Sequence, residues 1–297
     1  MFVKESSEIE KAFRFCREIA FRHYENFPVA STFVPRRKRK YIAAIYAFAR
    51  TADDVADENG CPKDLRLEKL SELQRKLRES QEGLAREPLF VALDATIRRF
   101  GMPIEDFENL LTAFRMDVEK KRYVTWEELL KYCSFSANPI GRLILRLFNY
   151  DGQEGLHACD AICTALQLTN FWQDLSIDVK RDRIYLPLED LNTFHCTEND
   201  ILSLKAHENF RQLMAYEVGR TAALFEEGKT LWTSVGRDLR FQLKLTWFAG
   251  MRVLEKIRRS SYDVFHHRPS ISFWDKCFLL MKAAGIGAKD TNYSSLI

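Results

Sequence analysis

Glycine and proline are scarce, 12 and 8 in 297 residues. No Gly/Ser/Pro-rich stretch or low-complexity tract interrupts the chain, so no linker marks a boundary and one domain, 1–297, is expected. The seven cysteines, Cys16, Cys61, Cys133, Cys159, Cys163, Cys196 and Cys277, form no C-x-x-C pair. An odd, scattered count argues for reduced thiols and against a disulfide framework or a zinc knot. The longest apolar runs fall short of a spanning helix, and the opening "MFVKESSEIEKAF" lacks the apolar centre of a signal peptide; a cytoplasmic protein is expected. A net charge of only +3 argues against a nucleic-acid partner. Alternating strand patterns are missing, as is the G-x-G-x-x-G fingerprint of nicotinamide sites.

What is present is helical periodicity over a composition that is 46% hydrophobic and 29% charged, enough for a large core. Tyr41, Ala44, Ile45, Phe48, Ala52 and Val55 recur at three and four, and the prolines mostly fall between periodic stretches. The fold class is therefore all-α, with about eight to ten helices. Two segments admit two readings each. The basic run Arg36-Arg37-Lys38-Arg39-Lys40 is a solvated helix start or an attractor for an anionic substrate or lipid. The stretch "SISFWDKCFLLMKAAGIG" is a terminal helix docked on the core or a helix lying on a membrane surface.

Chemistry enters where polar residues intrude on apolar helices. Residues 167–187, "QLTNFWQDLSIDVKRDRIYLP", place Gln167, Asn170, Asp174 and Asp178 at spacings of three, four and four. At roughly 100° per residue these fall within about 80° of one another, on a stripe some ~16 Å long. A second intrusion, "IYAFARTADDVADE" at 45–58, sets Arg50, Asp53, Asp54 and Asp57 on one side of a helix, with Tyr46 a turn earlier. Crowded carboxylates raise one another's pKa and are disfavoured at a helix C-terminus, where these are expected to lie. An acidic solvent face is the plain alternative, but the preceding turns are almost wholly apolar. An all-oxygen and amide set without His or Cys selects Mg²⁺ or Mn²⁺, which commonly shares the oxygens of a diphosphate. Arg50, Lys180, Arg181 and Arg183 supply positive groups for such a ligand.

"DDVAD" at 53–57 and "NFWQDLSID" at 170–178, followed by "RDRIYLP", resemble the two aspartate-rich motifs of the squalene and phytoene synthases, the head-to-head isoprenyl diphosphate synthases. The resemblance runs from "HYENFPVAS" at 23–31 to "RVLEKIRRSSYDV" at 252–264. It implies an isoprenoid-synthase-type helical bundle around a central cavity, with Asp53, Asp57, Asn170, Asp174 and Asp178 holding Mg²⁺ (or Mn²⁺) against diphosphate. It assigns Arg50, Arg183 and Tyr185 to the diphosphate, His23 and Phe27 to the covering segment, and Tyr46, Gln167 and Tyr262 to the reacting carbons or leaving group.

The wording of "HYENFPVAS", "SANPIGRLIL" and the second motif is most similar to the bacterial hopanoid-pathway members that convert presqualene diphosphate to hydroxysqualene. That implies ionisation of presqualene diphosphate, rearrangement and water capture without NADPH, with Asn138 either positioning the water or capping a helix. It leaves open functional coupling to other hopanoid-pathway enzymes and a peripheral contact at the inner face of the membrane. Alternatives are condensation of two prenyl diphosphates to presqualene diphosphate, squalene or phytoene, and a non-catalytic assembly role, which the complete aspartate motifs disfavour.

Overall fold

The computed structural model describes residues 2–22, 34–150 and 152–284. His23 and Phe27 lie outside them. Among the described residues there are fourteen α-helices and no strand, only an isolated bridge between Arg122 and Ile184. The all-α expectation holds. The helix number exceeds it because three short helices span only 6, 5 and 4 residues, too few for a 3.6-residue period to show. The chain forms two compact units, residues 1–119 with 139–151 and residues 120–138 with 152–297.

The first unit contains α1 (Phe2–Arg22), α2 (Arg36–Ala56), α3 (Lys63–Gln81), α4 (Pro88–Phe100) and α5 (Ile104–Glu119), together with most of α7 (Asn138–Leu147). Prolines start helices as their fixed φ favours: Pro35 and Pro62 precede α2 and α3, and Pro88 opens α4, which Gly101 ends in the left-handed conformation. The buried face of α2 carries Ile42, Ala43, Ala44, Ile45, Ala47, Phe48, Ala52 and Ala56. Phe48 meets Phe90 and Phe107 edge-on, with centroids 6.4 and 5.5 Å away. Each fully buried side chain of this size contributes about 1.5–3 kcal/mol.

The basic run at the start of α2 is more than a solvated face. Lys38 is buried, donates to the Leu147 carbonyl, and sits 4.6 Å from the Phe148 ring centre. Lys40 pairs with Glu10 at 2.5 Å, and Arg39 Nε donates to the Val34 carbonyl at 2.9 Å. Lys38 is spent on packing because its four-carbon stem lets an ammonium reach a carbonyl and an aromatic face from a buried position.

The second unit contains α6 (Trp126–Ser136), α8 (Gln153–Asp178), α9 (Leu188–Thr193), α10 (Glu198–Leu202), α11 (Glu208–Gly228), α12 (Leu231–Ser234), α13 (Arg237–Arg259) and α14 (Phe273–Ala283). Its axis is α8, packed against α6, α11 and α13. Buried Trp172 of α8 donates to Thr221 Oγ1 of α11 at 2.8 Å. A Cβ on Gly228 would lie 2.3 Å from Ile162 and 2.9 Å from the Ala158 carbonyl, so only glycine allows α11 to come this close to α8. The terminal helix is docked: α14 packs Leu279 and Ala283 against Leu245, Phe241 and Phe248. Its inward-facing Asp275 pairs with Arg252 at 2.8 Å and Lys256 at 2.5 Å. All seven cysteines are free, as expected.

Candidate functional site

Both aspartate motifs terminate long helices. In the first unit, Asp53 and Asp54 occupy the last turn of α2, and Asp57 caps its C-terminus with its backbone N–H on the Asp53 carbonyl at 2.9 Å. That turn carries no basic residue, so the carboxylates add to the negative end of the helix dipole. Arg50 offsets them from one turn back: Nη1 lies 3.1 Å from Asp53 Oδ2 and Nη2 lies 2.6 Å from Asp54 Oδ1. The third nitrogen of this guanidinium, Nε, is buried and finds no partner among the described residues. A buried N–H without an acceptor is costly, and an anion beside Arg50 would relieve it. Tyr46, a turn earlier, is half-buried; burial raises its phenol pKa, Arg50 opposes the rise, and Asp53 and Asp54 add to it.

In the second unit, Gln167, Asn170, Asp174 and Asp178 all lie on α8, which ends at Asp178 with no basic residue in its last turn. Asn170 is exposed, while Gln167, Asp174 and Asp178 are half-buried. Asp174 Oδ1 accepts from Arg268 Nε at 2.7 Å, and the neighbouring Gln173 Nε2 donates to the Pro269 carbonyl at 2.6 Å. Among the described residues, no three His, Cys, Asp or Glu side chains gather as a ligand group. In each motif, arginine supplies positive charge to the carboxylates. Taken motif by motif, Asp53 and Asp57 in the first unit, and Asn170, Asp174 and Asp178 in the second, are hard oxygen donors of the kind that suits a divalent cation such as Mg²⁺, and Arg50 Nε, without a partner among the described residues, suits an anion.

After Asp178 a 3-10 turn, Val179–Arg181, leads to Asp182 at φ 58°. A set of contacts holds this reversal. Arg122 donates to the Asp182 carbonyl at 2.6 Å and meets its carboxylate at 2.8 Å, Lys121 meets the same carboxylate at 3.0 Å, and Arg122 also reaches Glu198 at 2.8 Å. Arg122 and Lys121 hold the Asp182 carboxyl below its usual range. Arg183 follows with its N–H on the Asp178 carbonyl at 3.0 Å. Tyr185 is buried between Phe171 and Tyr123, with ring centroids 3.7 and 5.8 Å away. Tyr262 sits beyond the end of α13 at φ 62°, directly after Ser261 at φ 53°. Two successive non-glycine residues in the left-handed region store strain of order 1–3 kcal/mol each, a common property of functional segments.

Asn138 begins α7, and its side chain is not a solvent group. It is buried, and Oδ1 accepts from Thr164 Oγ1 of α8 at 3.0 Å. Sequence reasoning missed Thr164, Arg122 and Arg268. Thr164 and Arg122 give no local signal, whereas Arg268, in the basic "HHRP" that follows Tyr262, offered a weak one.

The model of the Squalene/phytoene synthase family matches residues 21–275. The chain belongs to the squalene/phytoene synthase family. It is 30% identical to a phytoene synthase of Arthrospira platensis over 91% of each chain. It is 36% identical to a hydroxysqualene synthase of Rhodopseudomonas palustris over 75% of each chain. Among solved structures, squalene synthase HpnC from Alicyclobacillus acidocaldarius matches at 41% identity and a TM-score of 0.83, over 86% of this chain and 96% of that one. A dehydrosqualene synthase solved with a ligand matches at 27% identity and a TM-score of 0.85, over 95% and 98%. The squalene/phytoene synthase assignment makes the chain an enzyme with an isoprenoid synthase fold. No helix among the described residues is long and apolar enough to cross a membrane.

Proposed function

We propose that the chain is a hydroxysqualene synthase, which ionises presqualene diphosphate, rearranges the carbon skeleton and captures one water to release hydroxysqualene and diphosphate. Asp53, Asp57, Asn170, Asp174 and Asp178 would hold Mg²⁺, which would supply Lewis acidity toward the leaving diphosphate. Arg50 would offer its guanidinium to the charge that develops on the departing oxygens. Arg183 and Tyr185 belong to the same diphosphate-holding group. Tyr46, Gln167 and Tyr262 border the reacting carbons. The carbocation adds the oxygen of water, and the proton lost from that water passes to diphosphate or solvent, so no reductant is consumed and no NADPH is needed.

The observation that carries the choice of product is Asn138. Its amide is only 6% exposed, and Thr164 Oγ1 occupies its carbonyl oxygen, which turns the Nδ2 donor away from Thr164. An amide held by its oxygen leaves Nδ2 as a donor suited to a single water. Identity to hydroxysqualene synthases of 36% and 33% supports the same choice. The second reading, condensation of two prenyl diphosphates, is favoured by the longer match to phytoene synthase.

Purified protein given presqualene diphosphate and Mg²⁺ without NADPH is expected to release the C30 alcohol. If it leaves that substrate intact and consumes farnesyl diphosphate, the condensation reading replaces this one. A product this apolar suits delivery at a lipid surface and functional coupling to other hopanoid-pathway enzymes. We place α14 at that surface. Phe273, Trp274 and Met281 are 71%, 79% and 49% exposed and lie with Cys277 within about 100° of the helix circumference, with exposed Lys276 beside them and Asp275 turned inward.

A further inference from the structure

Asp174 presents a carboxylate just before the last turn of α8, near the helix end whose dipole disfavours negative charge. The cation that answers it comes from 94 residues along the chain, as Arg268 Nε lies 2.7 Å from Oδ1. The segment carrying Arg268 is tied down directly after the contact. Gln173 Nε2 holds the Pro269 carbonyl at 2.6 Å, Lys256 Nζ holds the Ser270 carbonyl at 2.7 Å, and Ser272 caps α14 in a capping box with Asp275. Pro269 is buried, whereas the Arg268 side chain is 48% exposed and Asp174 is 34% exposed. The backbone is therefore anchored at the second aspartate motif while the guanidinium end remains in solvent. An ion pair this open is weak and easily exchanged.

We propose that Arg268 is an exchangeable counter-charge. It neutralises Asp174 while the motif holds no metal, competes with the divalent cation for that carboxylate, and on displacement turns to the substrate's diphosphate. The inference rests on the metal and diphosphate reading above. Its chemistry follows from the two partners. A divalent cation takes Asp174 more strongly than a half-solvated guanidinium does, and the displaced fork then finds bidentate acceptors in diphosphate oxygens. Arg268 would link the order of events, with metal first and tight anion binding second.

The test uses the full chain with Mn²⁺ as probe, titrated by electron paramagnetic resonance or calorimetry, and inorganic diphosphate titrated in the presence of Mg²⁺. Removing the competitor in Arg268→Gln is expected to tighten Mn²⁺ binding in the absence of diphosphate by about two- to fivefold. The same variant is expected to weaken diphosphate binding by about tenfold or more, and Arg268→Lys should fall between it and the parent. A purely structural arginine would weaken both ligands together. Unchanged or weaker Mn²⁺ binding in Arg268→Gln overturns the competition, and unchanged diphosphate binding overturns the transfer to the anion. Asp174→Asn is the control for the underlying reading: if it leaves Mn²⁺ binding intact, the metal assignment of Asp174 fails whatever Arg268 does.

Discussion

Phe171 and Tyr185 stack with their ring centroids 3.7 Å apart and their planes 7° from parallel. Phe171 follows Asn170 on α8, and Tyr185 stands two residues after Arg183. The stack therefore pins the segment carrying Arg183 onto the helix carrying Asp174 and Asp178. Phe171→Leu keeps an apolar side chain but removes the ring. The expected stability loss is about 0.5–1.5 kcal/mol beyond the change in buried area, read from urea unfolding. Turnover should fall further than the folded fraction does, because Arg183 loses its register. Wild-type turnover in a variant that has lost the expected stability would show that the stack does not position Arg183.

Arg50 answers two carboxylates and keeps one N–H in reserve. Arg50→Lys preserves the charge and loses the fork. If the guanidinium stabilises the leaving diphosphate, kcat should fall by about 100- to 1,000-fold, as for loss of one preorganised donor. The carboxylates of Asp53 and Asp54 are 40% and 52% exposed and the charge on residue 50 is kept, so stability should change by no more than about 1 kcal/mol. A large loss of stability with little loss of rate would reassign Arg50 to folding.

The contrast between these residues and Arg268 shows what a sequence can reveal. Asp53, Asp57, Asn170, Asp174 and Asp178 stood out because each interrupts an apolar helical pattern, and a local pattern needs no knowledge of the fold. Arg268 meets Asp174 across 94 residues, and nothing in either neighbourhood announces the other. Arg122 and Asp182 are separated by 60 residues in the same way. Lys38 failed for a different reason. Its place in a five-residue basic run suggested solvent, yet the helix phase turns it inward beneath Phe148.

The exposed face of α14 makes a further expectation accessible. Trp274 is 79% exposed and lies beside Phe273, so Trp274→Ala should leave the core untouched. If that face rests on lipid, the variant should bind vesicles containing anionic lipid several-fold more weakly in a sedimentation assay. Lys276→Glu should add a salt-dependent loss. Equal binding of the parent and both variants would remove α14 from any membrane role.

Glu217 on α11 is fully buried and shares the guanidinium of Arg220 with Asp190. Arg220 Nη2 lies 2.6 Å from Glu217 Oε1 and 2.6 Å from Asp190 Oδ2, and its plane rests 3.5 Å from the Trp126 ring centre. One cation faces two buried carboxylates. Burial pushes the Glu217 carboxyl up to about 8, Arg220 opposes the rise, and Asp190 adds to it. The folded protein thus keeps a proton that the unfolded chain releases near 4.5. The stability contributed by this group is complete below that value and is lost as pH rises through about 8. Glu217→Gln removes the titration while keeping an amide of similar shape. Whatever the variant costs at pH 5, the Tm of the parent relative to the variant should fall steadily between about pH 5 and pH 9. Thermal melts across that window would read it directly, and a difference that stays flat or rises would mean that Glu217 is already ionised in the folded protein at neutral pH.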